Sequence, residues 1–135
     1  MKPLAVPPDA ERVAVDYLTS ALLARAQDVS VGVTIPATWT AGTKPHVQVA
    51  LDGTPEVRYP ILWRCTIRVT CWHASTTTAK ALAALCQAIL CAHPGSVQVA
   101  SVQALTGVLP ARDPDTGAQL ASISIRLNLL GAVLA

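Results

Sequence analysis

Three histidines are the side chains best suited to acid–base chemistry near neutral pH, and they are scattered along the chain. His46 and His73 stand at the ends of predicted strands, and His93 stands at the end of a predicted helix. A histidine at a helix end more often caps the helix or favours its dipole than acts as a base. The sequence also lacks the nucleophile-elbow, zinc-protease, phosphate-loop and dinucleotide-binding motifs. We therefore expect no catalytic residues and no cofactor.

The cysteines could bind a metal or form disulfides, but their spacing favours neither. They lie inside apolar strand and helix patterns and form no Cys-x-x-Cys pair: Cys65, Cys71, Cys86 and Cys91. This pattern predicts buried free thiols in a soluble protein made in a reducing cytosol. A Cys2His2 metal site would have to join Cys71 and His73 to Cys91 and His93. These two pairs flank opposite ends of a predicted helix, about 25 Å apart, so we expect no metal site.

Three arginines form a more useful group, because they share one face of the predicted sheet. Arg64 and Arg68 alternate with threonines on one strand, and Arg126 alternates with serine and asparagine on the last strand. They could form a weakly basic surface for phosphate or an acidic partner. Alternatively, they keep an exposed sheet face solvated.

Two segments predict loops with residues of interest. Residues 36–45 carry a proline at each end and contain Trp39, which either anchors an interface or folds back over an edge of the core. Residues 110–117 are dense in turn-forming residues. Hydrogen bonds from the side chains to the turn backbone account for Asp113 and Asp115 there without an acid–base role.

Two helices are predicted from apolar residues that recur at steps of three and four. The first covers residues 9–26, with Asp9 as its N-cap. The second follows Ser75, another N-cap, and ends at the stop signal of residues 92–95.

Strict alternation of apolar and polar residues predicts the strands. They cover residues 29–35, 46–51, 61–73, 97–109 and 121–129, with a bulge near Ser101 where the alternation slips by one residue. The order α-β-β-β-α-β-β predicts an α+β fold. We expect a two-layer sandwich, in which two helices cover one face of a mostly antiparallel sheet of about five strands.

Composition limits the class of protein. The 135 residues fit one domain, residues 1–135, and 52% of them are hydrophobic while 13% are charged. This excludes intrinsic disorder, and a net charge of +2 is too small for a dedicated nucleic-acid binder. The apolar run of residues 127–135 is shorter than the roughly 20 residues of a membrane helix, so we expect no membrane partner.

Several segments, in this order, resemble one family across nearly the whole chain. They are the N-terminal helix segment AERVAVDYL (10–18), a valine-rich strand that ends in TIP (34–36), the strand PHVQVALDG (45–53), the long strand WRCTIRVTCWH (63–73), the alanine-rich helix and a final hairpin that ends in ISIRLNL (123–129). Together they are similar to the tail terminator, or tail completion, proteins of long-tailed phages of mycobacteria and related actinobacteria. The resemblance implies a small α+β subunit without catalysis or cofactor. Such subunits form a ring, typically a homohexamer, that ends tail-tube polymerisation.

The resemblance also implies a location and partners. The ring is assembled in the host cytoplasm and sits at the head-proximal end of the virion tail. Its partners are other copies of the chain, the major tail tube protein, the head–tail connector and, transiently, the passing genomic DNA. The low charge of the chain then indicates surfaces that neighbouring subunits bury.

No interface residue transfers from the family, so the candidates come from the residues themselves. Arg64, Arg68 and Arg126 are candidates for facing the lumen or an acidic partner. The candidates for subunit or partner contacts are Trp39, Arg112, Asp113, Asp115 and Thr116.

Two other functions stay open. One is another head–tail junction or minor capsid component of similar fold. The other is an enzyme or small-molecule binder, which would need a deep pocket ringed by His46, His73 or His93.

Overall fold

The computed structural model describes residues 2–134, and the chain is α+β with a mostly antiparallel mixed sheet. The elements follow the order β1 (Ala5–Val6), α1 (Ala10–Ala24), β2 (Ser30–Gly32), β3 (His46–Leu51), β4 (Glu56–Arg58), β5 (Leu62–His73), α2 (Thr76–Cys91), β6 (Val99–Ala104), β7 (Leu109–Arg112), β8 (Gln119–Leu130) and β9 (Ala132–Val133).

The main sheet has the strand order β2-β3-β5-β8-β6. Its centre is the antiparallel pair β5 and β8, which stays in register over twelve residues from Leu62 opposite Leu130 to His73 opposite Gln119. β2 runs parallel to β3, whereas the other pairs are antiparallel. β4 extends the sheet beside the start of β5, and β7 extends it beside the start of β8.

Alternation along the two central strands separates an apolar face from a polar face. The side chains of β5 that point to the helices are buried: Trp63, Cys65, Ile67, Val69 and Cys71. Both helices pack on this face through their own buried side chains, among them Leu18 and Leu22 of α1 and Cys86 and Leu90 of α2. Small alanines such as Ala83 let α2 lie close to the sheet, which suits a core built without phenylalanine.

Both predicted N-caps are present. The Asp9 carboxylate accepts hydrogen bonds from the backbone N–H groups of Glu11 and Arg12, at 3.0 and 3.2 Å. The Ser75 hydroxyl accepts one from Thr78 N–H at 3.3 Å. These bonds satisfy amide groups that have no partner inside the first turn of a helix.

The sequence predicts about five strands, whereas the main sheet of residues 2–134 has seven, and several of them differ in length from the prediction. The predicted strand 97–109 is interrupted, because Ser124 O accepts from Leu105 N–H while Ser124 N–H donates to the Thr106 hydroxyl, so a side chain replaces part of the backbone ladder. The result is two strands, β6 and β7. The predicted bulge is confirmed by a register shift between Val99 and Ser101.

Three further differences come from contacts that local patterns do not contain. The predicted strand 29–35 shortens to β2, because the Thr34 carbonyl accepts a hydrogen bond from the His46 ring instead of extending the ladder. The connection between the predicted strands 46–51 and 61–73 contains the short strand β4. β1 and β9 pair with each other, and Leu134 N–H donates to Leu4 O at 2.7 Å.

Candidate partner-binding surfaces

His46 is buried at the start of β3 and holds the chain after β2 in place. Its Nε2 lies 2.7 Å from the Thr34 carbonyl oxygen, and its Nδ1 lies 2.6 Å from the Ser30 hydroxyl. Since a carbonyl can only accept, Nε2 carries the proton and the neutral ring accepts from Ser30 at Nδ1. Burial lowers the pKa of His46, and the bond to Thr34 partly opposes this. The ring is a fully hydrogen-bonded structural group.

The other two histidines are also engaged in local structure. His73 Nδ1 accepts from Ala74 N–H at 2.8 Å and lies 2.9 Å from the Thr78 hydroxyl, just before α2, and burial lowers the pKa of this imidazole. His93 Nδ1 accepts from Gly95 N–H at 2.9 Å after α2, and its ring packs against Tyr17 with 4.3 Å between centroids.

Each of these two histidines borders a surface depression rather than a deep pocket. The one beside His73 holds about 360 Å³ and also includes Asp28 and Thr78. The one beside His93 includes Asp16 and Tyr17. The two histidines flank opposite ends of α2, a helix of sixteen residues, which spans about 24 Å. Within residues 2–134, no group of three histidine, cysteine or carboxylate side chains is arranged to hold a metal ion.

Three of the four cysteines are buried thiols, and Cys91 is exposed at the end of α2. A hydrogen bond to Cys86, together with burial, raises the pKa of the Cys71 thiol well above its usual range. Burial raises the pKa of Cys65. The thiols of Cys65 and Cys71 therefore stay protonated, and all three buried cysteines belong to the core. The exposure of Cys91 differs from the prediction, because α2 turns its last residue to solvent.

The polar face of the sheet carries the three arginines, with two carboxylates beside them. Arg68 Nη2 lies 3.2 Å from Asp52, and Arg64 Nη1 lies 3.9 Å from Glu56. Arg126 forms no ion pair with any described residue; on the sheet it lies between Thr66 of β5 and Gln103 of β6. Surface ion pairs of this kind contribute little to stability. Their effect is on charge: the face carries three positive side chains, and the charges of Arg64 and Arg68 are partly neutralised.

Asn128 shares this face, and its burial was not predicted. It lies between Arg64 of β5 and Ser101 of β6 and is only 8% exposed. Its Nδ2 donates to the Ser101 hydroxyl at 2.8 Å, while its Oδ1 has no hydrogen-bond partner in the described chain. The polar alternation of the last strand indicates the face correctly but cannot show that neighbouring side chains cover this one.

Trp39 is folded back onto the chain. Of the two alternatives for this residue, an interface anchor or a cover for its own fold, the structure has the second. Its indole is 8% exposed, packs edge-on against Trp72 with 5.6 Å between centroids, and donates from Nε1 to Lys44 O at 3.0 Å. A partner at this loop would therefore touch mainly its exposed neighbours, such as Thr38 and Thr40.

The hairpin between β7 and β8 protrudes with most of its side chains in solvent. The Asp113 carboxylate accepts from both the N–H and the hydroxyl of Thr116, at 3.0 and 2.6 Å. These bonds lower the pKa of Asp113. Arg112, Asp115 and Thr116 are exposed. The turn bonds are the ones that the Asp-Pro-Asp-Thr-Gly segment predicts, and they leave Arg112 and Asp115 accessible at the tip.

The opposite end of the molecule is rich in exposed apolar side chains. It lies where β5 begins, β8 ends and β1 pairs with β9, and we call it the apolar end. Its exposed large apolar side chains are Leu4, Val6, Val57, Tyr59, Ile61, Val97, Val133 and Leu134. A groove of about 540 Å³ there brings Val6 close to Val97. Such clusters commonly mark protein-binding surfaces.

No helix within residues 2–134 is both long and apolar enough to cross a lipid bilayer. Comparison of the chain with models of known protein families and with curated proteins finds no match.

Proposed function

We propose that this chain is the subunit of a ring that closes the head-proximal end of a phage tail tube, stops tube polymerisation and joins the tail to the head connector. The proposed ring is a homohexamer in the virion tail, without catalysis or cofactor. In it each subunit is a two-layer sandwich, with the helices on the outside and the polar sheet face toward the lumen.

The observation that carries the proposal is the open polar face of the sheet. Both helices lie on the other face, so within residues 2–134 no helix covers the face that carries Arg64, Arg68 and Arg126. A modest positive charge suits a channel through which DNA passes without being held, because non-specific affinity for DNA grows with the number of phosphates that basic side chains neutralise.

The difference between the two ends of the subunit supports a position between two unlike partners. The apolar end offers Ile61, Val97 and Val133 to a protein surface. The hairpin end offers Arg112 and Asp115 at an exposed tip. In a ring of identically oriented subunits, each kind of end forms one rim, so tube and connector would meet chemically different rims.

The histidines form hydrogen bonds with structural partners, which favours an assembly role over catalysis. Both ring nitrogens of His46 are bonded to structural partners, and the Nδ1 atoms of His73 and His93 accept bonds that shape the two ends of α2.

Three measurements test the proposal. We expect the purified chain to sediment as a closed oligomer of defined size, and phage that lack it to make tails of abnormal length that do not attach to heads. A chain that stays monomeric at high concentration, with normal tails in the mutant phage, would exclude the ring. In labelled virions we expect density at the end of the tube; density confined to the connector would instead identify a neck component.

A further inference from the structure

The charged residues of the chain are distributed unevenly over the sheet. Residues 29–43 and 81–111 contain no Asp, Glu, Lys or Arg. The first stretch contains β2 and the second contains β6, the two edge strands of the main sheet. Exposed sheet edges in natural proteins are usually protected by charges, prolines or covering groups, because their free backbone groups pair with other chains. Neither of these two edge strands carries a charged side chain, whereas β7, which continues the β6 side of the sheet beside β8, carries Arg112.

Three other strands with open backbone are protected within the same molecule, which provides a contrast. β3 extends past the residues that pair with β2, and the backbone N–H of Leu51 at its end donates to the Glu11 carboxylate at 2.9 Å. The N–H of Ala5 in β1 donates to the Tyr59 hydroxyl at 3.0 Å. β4 is three residues long and carries Glu56 and Arg58.

The backbone of the two edge strands has no such covering groups. Ser96 bonds only the first residue of β6, through Val99 N–H. Within residues 2–134, no side chain forms a hydrogen bond with the backbone of β2 or of residues 100–104. Apolar side chains accompany both edges, with Val33 just after β2 and Leu105 just after β6 at 45% and 41% exposure.

We propose that β6 of one copy pairs with β2 of the next copy, so that one continuous sheet runs from subunit to subunit. The occupant of each edge is a second copy of this chain, because the chain itself carries both matching edges, uncharged and on opposite sides of the sheet. The strand directions agree with this. β2 is parallel to β3, and the steps from β3 to β5, β8 and β6 are each antiparallel, so β2 and β6 run in opposite directions.

Rotation about an axis along the strands therefore brings β6 against β2 in the antiparallel arrangement, the more stable of the two ladders. The contact joins two different patches, and such a contact gives a closed ring if the rotation closes. The pairing of the edges follows from the sheet alone, whereas its closure into six subunits rests on the proposed function. Six copies would give a wall of about thirty strands, at least about 46 Å across at the backbone, since strands lie about 4.8 Å apart.

Two single variants, each blocking one edge, test the pairing. Ala104→Lys adds a charge to the exposed end of β6, and Val33→Lys adds one beside β2. Thr77→Lys, on an exposed residue in the first turn of α2, is the charge-matched control. Circular dichroism and thermal unfolding of each variant establish that the fold is intact, and sedimentation gives the size of each variant and of an equal mixture of the two blocked variants.

We expect both blocked variants to be monomers and their mixture to form dimers and nothing larger, because one intact β6 meets one intact β2. The control keeps the size of the unmodified protein. Dimers of Val33→Lys alone would overturn the proposal in favour of β6 pairing with β6. Blocked variants that keep the full oligomer would overturn it while leaving a ring built on other contacts. A monomeric unmodified protein would overturn both this inference and the proposed ring.

Discussion

His46 donates a hydrogen bond of 2.7 Å from Nε2 to the carbonyl oxygen of Thr34, and so ties the segment just after β2 to the start of β3. The other ring nitrogen accepts from Ser30 at 2.6 Å. Replacing the ring by the apolar ring of phenylalanine leaves a carbonyl and a hydroxyl without partners. We expect His46→Phe to lower the free energy of unfolding by about 2 kcal/mol, measured by urea denaturation. A loss no larger than that of Ser30→Ala would contradict the two-bond arrangement.

His46, together with His73, makes the stability of the protein depend on pH. Burial lowers the pKa of both His46 and His73 in the folded chain, so the unfolded chain binds more protons as the pH falls through about 6.5. Stability therefore rises with pH in this range and falls on acidification from pH 7 toward the folded pKa values. Urea denaturation at pH 7.5 and 5.5 measures the difference. His46→Phe should show a smaller fall, and a protein that gains stability in mild acid would contradict the prediction.

Gly131 marks a close approach of the backbone to a tryptophan ring. A Cβ atom at this position would overlap Cζ3 of Trp63 and lie 2.7 Å from Pro60 O. We expect Gly131→Ala to destabilise the protein by about 1–3 kcal/mol, because a ring in a packed core must shift. Gly107→Ala is the matched control, since a Cβ there meets nothing within 4 Å. Equal thermal unfolding of the two variants would contradict this packing.

The cysteines predict a simple labelling pattern. Cys65, Cys71 and Cys86 are buried and Cys91 is exposed, and the pKa values of Cys65 and Cys71 are raised. We expect a thiol reagent such as DTNB to modify one cysteine in the native protein and four after denaturation. Cys91→Ser should remove the native reaction. Fast labelling of any of the three remaining cysteines in that variant would contradict their burial in the core.

The arginines of the polar face connect the structure to the proposed function. If the face lines the lumen, replacing Arg64, Arg68 and Arg126 with glutamate should hinder genome passage or retention and leave ring assembly intact. Infectivity and DNA release of virions with the variant subunit, together with its sedimentation, measure the two effects. Arg25→Glu, on an exposed residue just after α1, is the control. Loss of assembly would instead place these arginines at subunit contacts.

Local pattern was sufficient for the parts of the fold that depend on one face being buried. The alternation over residues 61–73 predicted β5 to within one residue, and the slip near Ser101 predicted the bulge of β6. The N-caps Asp9 and Ser75 were also readable, because a capping side chain bonds to the helix that follows it. These features need no knowledge of distant neighbours.

The missed features depend on contacts between distant segments. β1 and β9 are two residues each and exist because the segments around Leu4 and Leu134 meet. The burial of Asn128 depends on side chains from neighbouring strands, and the burial of Trp39 depends on Trp72, thirty-three positions away along the chain. The sequence predicted that the three arginines share one face. It did not predict their partial neutralisation, because only the pairing of the strands brings Asp52 beside Arg68 and Glu56 beside Arg64.

The meeting of Leu4 and Leu134 makes the described chain nearly a closed loop. A short linker across this junction would connect the two ends without crossing the core, and the exposed tip between Asp113 and Gly117 offers a place for new ends. A circular permutant of this design should keep the sheet order β2-β3-β5-β8-β6. A tag fused to the new ends would lie at the hairpin end instead of the apolar end. The rim that the apolar ends form in an assembly would then stay free.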